Sequence, residues 1–251
     1  RYFQKINWKQ KLKMTNNIKH IYLKEIRSYF NGPMAYIFLV VFAIVTGYFF
    51  TNTFFLFNQS NMRALFNIVP LVYLFFIPAI TMSLIAREKN IGTMEVISTL
   101  PITDIEFVVG KFLSALSLIA LGLAFTLIHL FTLVNVGTNI DYGAVFTGYL
   151  GLLMLGSVYA SVGTFASSAT DNQVIAFIIS VFIVLIFFLM DKMLYFMPVS
   201  ISGLIQYISV DYHLSNISRG VIDSRNIIYF ASLVGFFLFV TVRVLEIRKW
   251  R

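Results

Sequence analysis

Histidine, a common general base and metal ligand, occurs three times in this chain, as His20, His129 and His213, far apart in sequence. Cysteine is absent, which excludes thiolate catalysis, a disulfide framework and Cys-ligated metal. Only His129 falls well inside an apolar run. A lone imidazole there is expected to be satisfied by a neighbouring hydroxyl or carbonyl rather than to hold a metal. Hydrolytic and metal chemistry need convergent groups, and the sequence has no H-E-x-x-H, no paired carboxylates within an apolar run and no Ser-His pairing. A nucleotide cradle needs G-x-x-x-x-G-K-[ST]. Gly110-Lys111 comes nearest and fails on both sides, with Ile105 and Phe112 in place of the glycine and the hydroxyl. No catalytic, cofactor-binding or metal site is therefore expected in this chain.

The composition points to a membrane instead. Of 251 residues, 59% are hydrophobic and only 12% charged, against about a quarter charged in soluble domains. The apolar residues gather in blocks near the ~20 that a helix needs to cross a hydrocarbon core of about 30 Å. Six spans are expected, at about 34–57, 64–86, 106–134, 144–169, 174–190 and 227–245. Pro70 and Pro78 lie inside the second, which should therefore face protein, where freed carbonyls find partners. The fourth carries Gly148, Gly151, Gly156, Ser157, Ala160, Ser161, Gly163 and Ser167, small residues that let helices approach closely in a bundle interior. The fifth is rich in Ile, Val and Phe and should face lipid.

Polar segments connect these spans. Residues 1–13 form a basic N-terminal extension, expected to be loosely ordered, and Met14 reads like an ordinary membrane-protein start. Residues 14–32 form a basic amphipathic helix suited to the headgroup plane, with Ile18, Tyr22, Ile26, Tyr29 and Phe30 on one face. Lys19, His20, Lys24, Glu25 and Arg27 occupy its other faces. Asn31-Gly32-Pro33 then breaks that helix and opens the membrane domain, 33–251. In the polar loop 87–106, residues 94–100 read as a short helix closed by Pro101. Thr103 and Glu106 stand at capping-box spacing before the third span. Asp171-Asn172 is placed to cap the fifth. Residues 193–225 hold two weak helical sets, Ile201, Leu204, Ile205 and Ile208, then Leu214, Ile217 and Val221, which predict two short re-entrant or interfacial helices.

An even number of spans places both termini on one side, and the charge count selects that side. The segments on the termini's side carry eight Lys/Arg in residues 1–27, then Arg87, Lys89, Lys111, Arg243, Arg248, Lys249 and Arg251; the opposite side carries Arg63, Lys192, Arg219 and Arg225. By the positive-inside rule both termini and loop 87–106 are cytoplasmic, and 193–225 lies outside. The net charge of +8 then serves orientation and anionic headgroups, with no call for nucleic acid. Few ionisable residues lie within the spans, which disfavours a proton- or sodium-coupled carrier. Uphill transport by this chain would draw its energy from another subunit.

Arg87-Glu88-Lys89, Gly92-Thr93-Met94-Glu95, Ser98-Thr99-Leu100-Pro101 and Gly110-Lys111, in that order between the second and third spans, resemble the cytoplasmic loop of type-II ABC exporter permeases. Within that class His213, Ser218-Arg219-Gly220-Val221-Ile222-Asp223, Tyr229-Phe230, Leu245-Glu246 and Lys249-Trp250 look closest to the gliding-motility-type permeases of Bacteroidetes-like bacteria. The resemblance implies an all-α integral membrane fold of six transmembrane helices, with an interfacial N-terminal helix, a cytoplasmic coupling helix and short outer helices. It also implies a non-enzymatic permease in a bacterial inner membrane, working by alternating access as a dimer. ATP and Mg would reside on a separate ABC ATPase partner, and an accessory membrane subunit with an extracytoplasmic domain is a further expected partner. Carried over by residue, Gly92, Thr93, Met94 and Glu95 would contact the ATPase, with Arg87, Glu88 and Lys111 anchoring the flanks by charge. A channel or secondary carrier, and a non-transporting scaffold of a motility or assembly machine, are the alternatives.

Overall fold

The computed structural model describes residues 8–56, 61–137, 140–193, 198, 203, 206–221 and 223–248. Every described element is a helix. In chain order they are α1 (Trp8–Asn31), α2 (Met34–Thr51, extended by a π turn, Asn52–Leu56), α3 (Arg63–Thr81), α4 (Ala86–Ile91), α5 (Thr93–Ser98), α6 (Asp104–Val136), α7 (Tyr142–Ala169), α8 (Gln173–Met193), α9 (Val210–Ser218) and α10 (Ser224–Arg248). Six stretches are long and apolar enough to cross a bilayer: α2, α3 together with α4, α6, α7, α8 and α10. The fold is thus an all-helical membrane bundle.

α7 is its centre, packed by α3, α6, α8, α9 and α10. In its most apolar stretch 67% of residues are buried, against 17% in α8, as small residues and bulky aliphatics respectively lead one to expect. The closest approach is at Gly163, where a Cβ would fall 1.9 Å from Thr81 Oγ1, so any side chain there would drive α3 and α7 apart. α8 turns Val174, Ile178, Phe182 and Ile186 outward, consistent with a lipid-facing helix. Pro70 and Pro78 of α3 are buried, and Thr81 Oγ1 donates 2.8 Å to the Ile77 carbonyl beside the second of them.

Local chemistry sets the boundaries. Thr103 and Glu106 form a capping box at the start of α6: Thr103 Oγ1 accepts from the Glu106 amide at 3.3 Å and Glu106 Oε2 from the Thr103 amide at 2.7 Å. Asn172, not Asp171, caps α8, its Oδ1 accepting from Val174 N at 2.9 Å. The loop between α3 and α6 holds two short helices, where the sequence predicts one. α4 begins at Ala86, so the charged run Arg87-Glu88-Lys89 is helical.

Two connections differ more. α1 is helical from Trp8, ahead of Met14, and lies along α6. Its buried stripe is Ile21, Glu25 and Tyr29, one position round from the expected apolar face. Glu25, placed by periodicity among the polar positions, is therefore buried. Of the two expected outer helices, the first is marked by Ile201, Leu204, Ile205 and Ile208, of which the first three lie outside the described residues and Ile208 is exposed. The second is α9, capped by Ser209 and buried through Leu214 and Ile217, while Val221 lies beyond it and is exposed. α9 packs against α7, α8 and α10.

Chain direction places α1, α4, α5, the start of α6 and the ends of α7 and α10 at one end of the bundle. α9 and the start of α10 occupy the other.

Candidate functional site

The break between α3 and α4 would strand backbone groups, because the first amides of a helix and the last carbonyls of another lack partners. One hydroxyl from α7 meets three of them. Ser167 Oγ accepts from Ile85 N at 2.9 Å and Ala86 N at 3.0 Å and donates to Met82 O at 2.8 Å. Lys111 of α6 donates to the Leu84 carbonyl, and Lys89 to the Ser168 carbonyl. The break is a built feature, fastened to two neighbouring helices.

Beyond it, α4 and α5 are hinged at Gly92. Its φ of +79° is left-handed, and no atom lies within 4 Å of where a Cβ would stand. The glycine is required by the backbone there, not by crowding. Thr93 Oγ1 closes α4 by donating 3.2 Å to the Glu88 carbonyl. Met94 is the buried anchor of α5, while Ile91, Val96 and Leu100 are 61%, 65% and 48% exposed, an unusual display for such side chains. Glu95 is exposed beside them.

The inner side of this hairpin meets a buried ionic cluster. Lys111, 1% exposed, lies 2.7 Å from Glu25 Oε1 and 3.0 Å from Glu88 Oε2, the second contact without hydrogen-bond alignment. The Phe107 ring lies 4.8 Å from its Nζ. Lys24 closes the cluster from the rim, pairing with Glu88 at 2.5 Å and Glu25 at 3.3 Å. Two acids and two bases thus balance. A balanced, hydrogen-bonded group can sit in a low-dielectric site where any member alone would be expensive. Burial opposes the charge on Lys24, but its hydrogen bond to Glu88 and the Glu25 carboxylate outweigh burial and raise its pKa above the ordinary 10.5.

α1 supplies half of this cluster and is fastened to the same end by neutral contacts. A Cβ on Gly110 of α6 would stand 2.8 Å from Ile21 Cγ2 and 3.2 Å from Ile18 O, so the glycine is what allows α1 this close. Tyr29 donates 3.2 Å to Ile80 O near the end of α3. Burial, with the Glu25 charge adding, pushes the Tyr29 phenol far above its ordinary value and keeps it a donor. Asn17 donates to Glu106 Oε1 at 3.3 Å and to Pro101 O at 3.4 Å.

Of the residues singled out by sequence, Glu88 and Lys111 come together in the cluster. Gly92, Thr93, Met94 and Glu95 share the hairpin. Arg87 stays apart, exposed on the rim of a cavity with Lys24 and Arg27. Lys24, Glu25 and Ser167 were not foreseen as partners. The available signal for Glu25 is its spacing, four residues from Ile21 and four from Tyr29, which puts an acid within an apolar stripe. His129 stacks on Phe50, ring centroids 4.9 Å apart, instead of meeting the hydroxyl or carbonyl expected for it. Among the described residues no group of three His, Asp or Glu converges as a metal site would.

A family model described as ABC-2 family transporter protein matches residues 3–219, the chain from α1 through α9. This chain belongs to the ABC-2 family. As a permease of that family it is the non-catalytic membrane subunit of an ABC transporter, and ATP hydrolysis lies on a separate subunit. Comparison with curated proteins finds no significant match. The α3–α4 break, hinge and ionic cluster all fall within the part of this ABC-2 permease that the family model spans.

Proposed function

We propose that this permease is an exporter subunit that couples to its ATPase through the α4–Gly92–α5 hairpin. The observation that carries this reading is the hairpin's two-sidedness. Outwardly it presents Ile91, Val96, Leu100 and the exposed carboxylate of Glu95. Inwardly it is tied to α1 and α6 by the ionic cluster and to α7 by Ser167. A push on α5 would therefore reach three helices without having to unfold a loop. Gly92 supplies the bend, Met94 the anchor and Thr93 the cap, while Glu88 and Lys111 carry displacement inward. Arg87 flanks the contact.

The ATPase, holding ATP and Mg, would bind the two arrangements of the hairpin with different affinity, which is what any ligand-driven shift requires. A second permease chain would complete the pathway, giving alternating access in a dimer, with an accessory extracytoplasmic subunit as a further partner. The basic end of the bundle, with α1, Arg87, Lys89 and Arg243, faces the cytoplasm of a bacterial inner membrane by the positive-inside rule. Both termini share that side. The C-terminal residues from His213 through Lys249-Trp250 support placing the chain with the gliding-motility-type permeases.

The test is co-expression of the permease with the ATPase encoded beside it, in wild-type and Glu95→Arg forms. The reading expects the ATPase to copurify with wild type and to be lost from Glu95→Arg, with the melting temperature of the permease unchanged because Glu95 is exposed. Retention of the ATPase by Glu95→Arg would overturn the coupling role. Absence of ATP-dependent flux in vesicles holding the wild-type complex would favour a scaffold.

A further inference from the structure

Arg27 and Arg87 are guanidinium groups at this end of the bundle that take no part in the ionic cluster. Neither is paired with a described residue. With Lys24, Ser28, Asn31 and Gly32 they line a cavity of about 540 Å³ whose wall contains no carboxylate. A second cavity of about 560 Å³ shares Lys24, Ser28, Gly32 and Arg87 and leads inward to the cluster. Glu25 and Glu88 are already balanced there by Lys24 and Lys111. The charge of Arg27 and Arg87 is left uncompensated. Like charges gathered on one concave wall repel unless an anion joins them, and guanidinium forks, a hydroxyl and an amide are the donor set that suits a phosphate.

The position of the cavity selects the kind of phosphate. Gly32 is the last lining residue before Pro33, and α2 enters the apolar region at Met34. On α2, beginning just past Pro33, Ile37, Val40 and Ile44 are more than half exposed and give the helix an outward apolar face, with Tyr36 set edge-on against Phe30 beside it. A charged pocket at the foot of an exposed transmembrane face is where a headgroup and its acyl chains meet protein together. We infer that the Arg27–Arg87 cavity binds the phosphate of an anionic glycerophospholipid, whose chains lie along α2. Such a lipid would bridge α1, the start of α2 and α4. It would hold the coupling hairpin to the headgroup layer in addition to the protein's own contacts.

The binding is measured on the purified permease alone, so the outcome does not depend on the ATPase reading. Short-chain phosphatidylglycerol or phosphatidylcholine is titrated while retention is followed by native mass spectrometry. Phosphatidylglycerol is expected to bind more tightly, with Arg27→Gln or Arg87→Gln each weakening it about fivefold and the double variant about thirtyfold. Lys19→Gln, an exposed charge on the same helix outside the cavity, should leave affinity within about twofold at physiological salt. Unchanged melting of the variants in phosphatidylcholine shows that they fold. Equal binding of both lipids overturns the proposal, as does an equal loss in Lys19→Gln, which would mean diffuse surface charge. Displacement of phosphatidylglycerol by millimolar inorganic phosphate would make this a free-anion site. Undiminished binding of phosphatidylglycerol by the double variant likewise overturns the proposal.

Discussion

Lys111 reaches Glu25 across 86 positions of sequence, and Lys24 reaches Glu88 across 64. At the far end of the bundle His213 reaches Asn226 Oδ1 across only 13 positions, at 2.7 Å, and the Tyr207 carbonyl across 6, at 3.0 Å. His213 also stacks on Tyr229 with centroids 3.9 Å apart. Both networks are buried, but they do different things. The first joins separate elements, α1, α4 and α6, through charges that depend on one another for solvation. The second joins α9 to the neighbouring start of α10 through partners that carry no formal charge. Shifting one member of the ionic cluster alters the energy of all four, whereas the His213 network holds one short helix in place. The end expected to meet the ATPase is the end where displacement is energetically shared.

The largest effect should follow Lys111→Met, which leaves Glu25 and Glu88 buried without their inner cation. A loss of about 3–5 kcal/mol is expected from breaking a buried pair on one side, read by chemical denaturation of the purified protein in detergent. Adding Glu25→Gln and Glu88→Gln to that variant should recover much of the loss, because no buried carboxylate is left without its cation and Lys24, which keeps its charge, is 60% exposed at the rim. His213→Ala should cost less, about 1–3 kcal/mol, the usual penalty for stranding a buried polar partner such as Asn226. It should also leave ATPase association intact. If the two single variants cost the same, or if His213→Ala releases the ATPase, the contrast between the ends fails.

Gly110→Ala probes the same end without touching a charge. Its Cβ would meet Ile21 at 2.8 Å and the Ile18 carbonyl at 3.2 Å, and overpacking of this kind costs about 1–3 kcal/mol. Ile21→Ala in the same chain removes the Cγ2 contact but keeps the Cβ, 2.9 Å away, and the Ile18 carbonyl, so melting should recover only in part. Full recovery would mean that α1 shifts to relieve the remaining Cβ and carbonyl contacts, and the ionic cluster would then be tolerant of α1 movement.

What could be read in the sequence follows the reach of each interaction. The six spans are blocks of hydropathy, and the capping box at Thr103 and Glu106 is a three-residue spacing. The contrast between α7 and α8 is a matter of small against branched side chains. All of these are local. The ionic cluster is not, since no periodic rule links Glu25 to Lys111. One-position uncertainty in the face of α1 was enough to send Glu25 to solvent. Within Arg87-Glu88-Lys89 the adjacent residues point in different directions, which their order in the loop does not disclose: Glu88 turns inward, Arg87 outward, and Lys89 to the end of α7. Gly92 and Glu95 were legible as positions in a loop motif, but the exposed apolar side chains that accompany them were visible only once α4 and α5 had formed.

The smallest effect separates the rim of the cluster from its core. The Lys24 pKa is raised above 10.5 in the folded chain. A raised value means that folding favours the protonated form. Its contribution to stability is complete below pH 10.5 and is lost as pH climbs through the folded value. The Lys24 side chain is 60% exposed, so solvent screens the pair, and its worth is about 0.2–1 kcal/mol, less in high salt. Other lysines lose their protons in the same range, so the informative quantity is the difference in melting temperature between wild type and Lys24→Met. That difference should be small and constant from neutral pH to 10.5 and should fade as pH climbs through the folded value above it. A difference that persisted into alkaline solution would show that Lys24 acts by packing its aliphatic stem over Glu88, leaving Lys111 as the sole charge that holds the hairpin to α1 and α6.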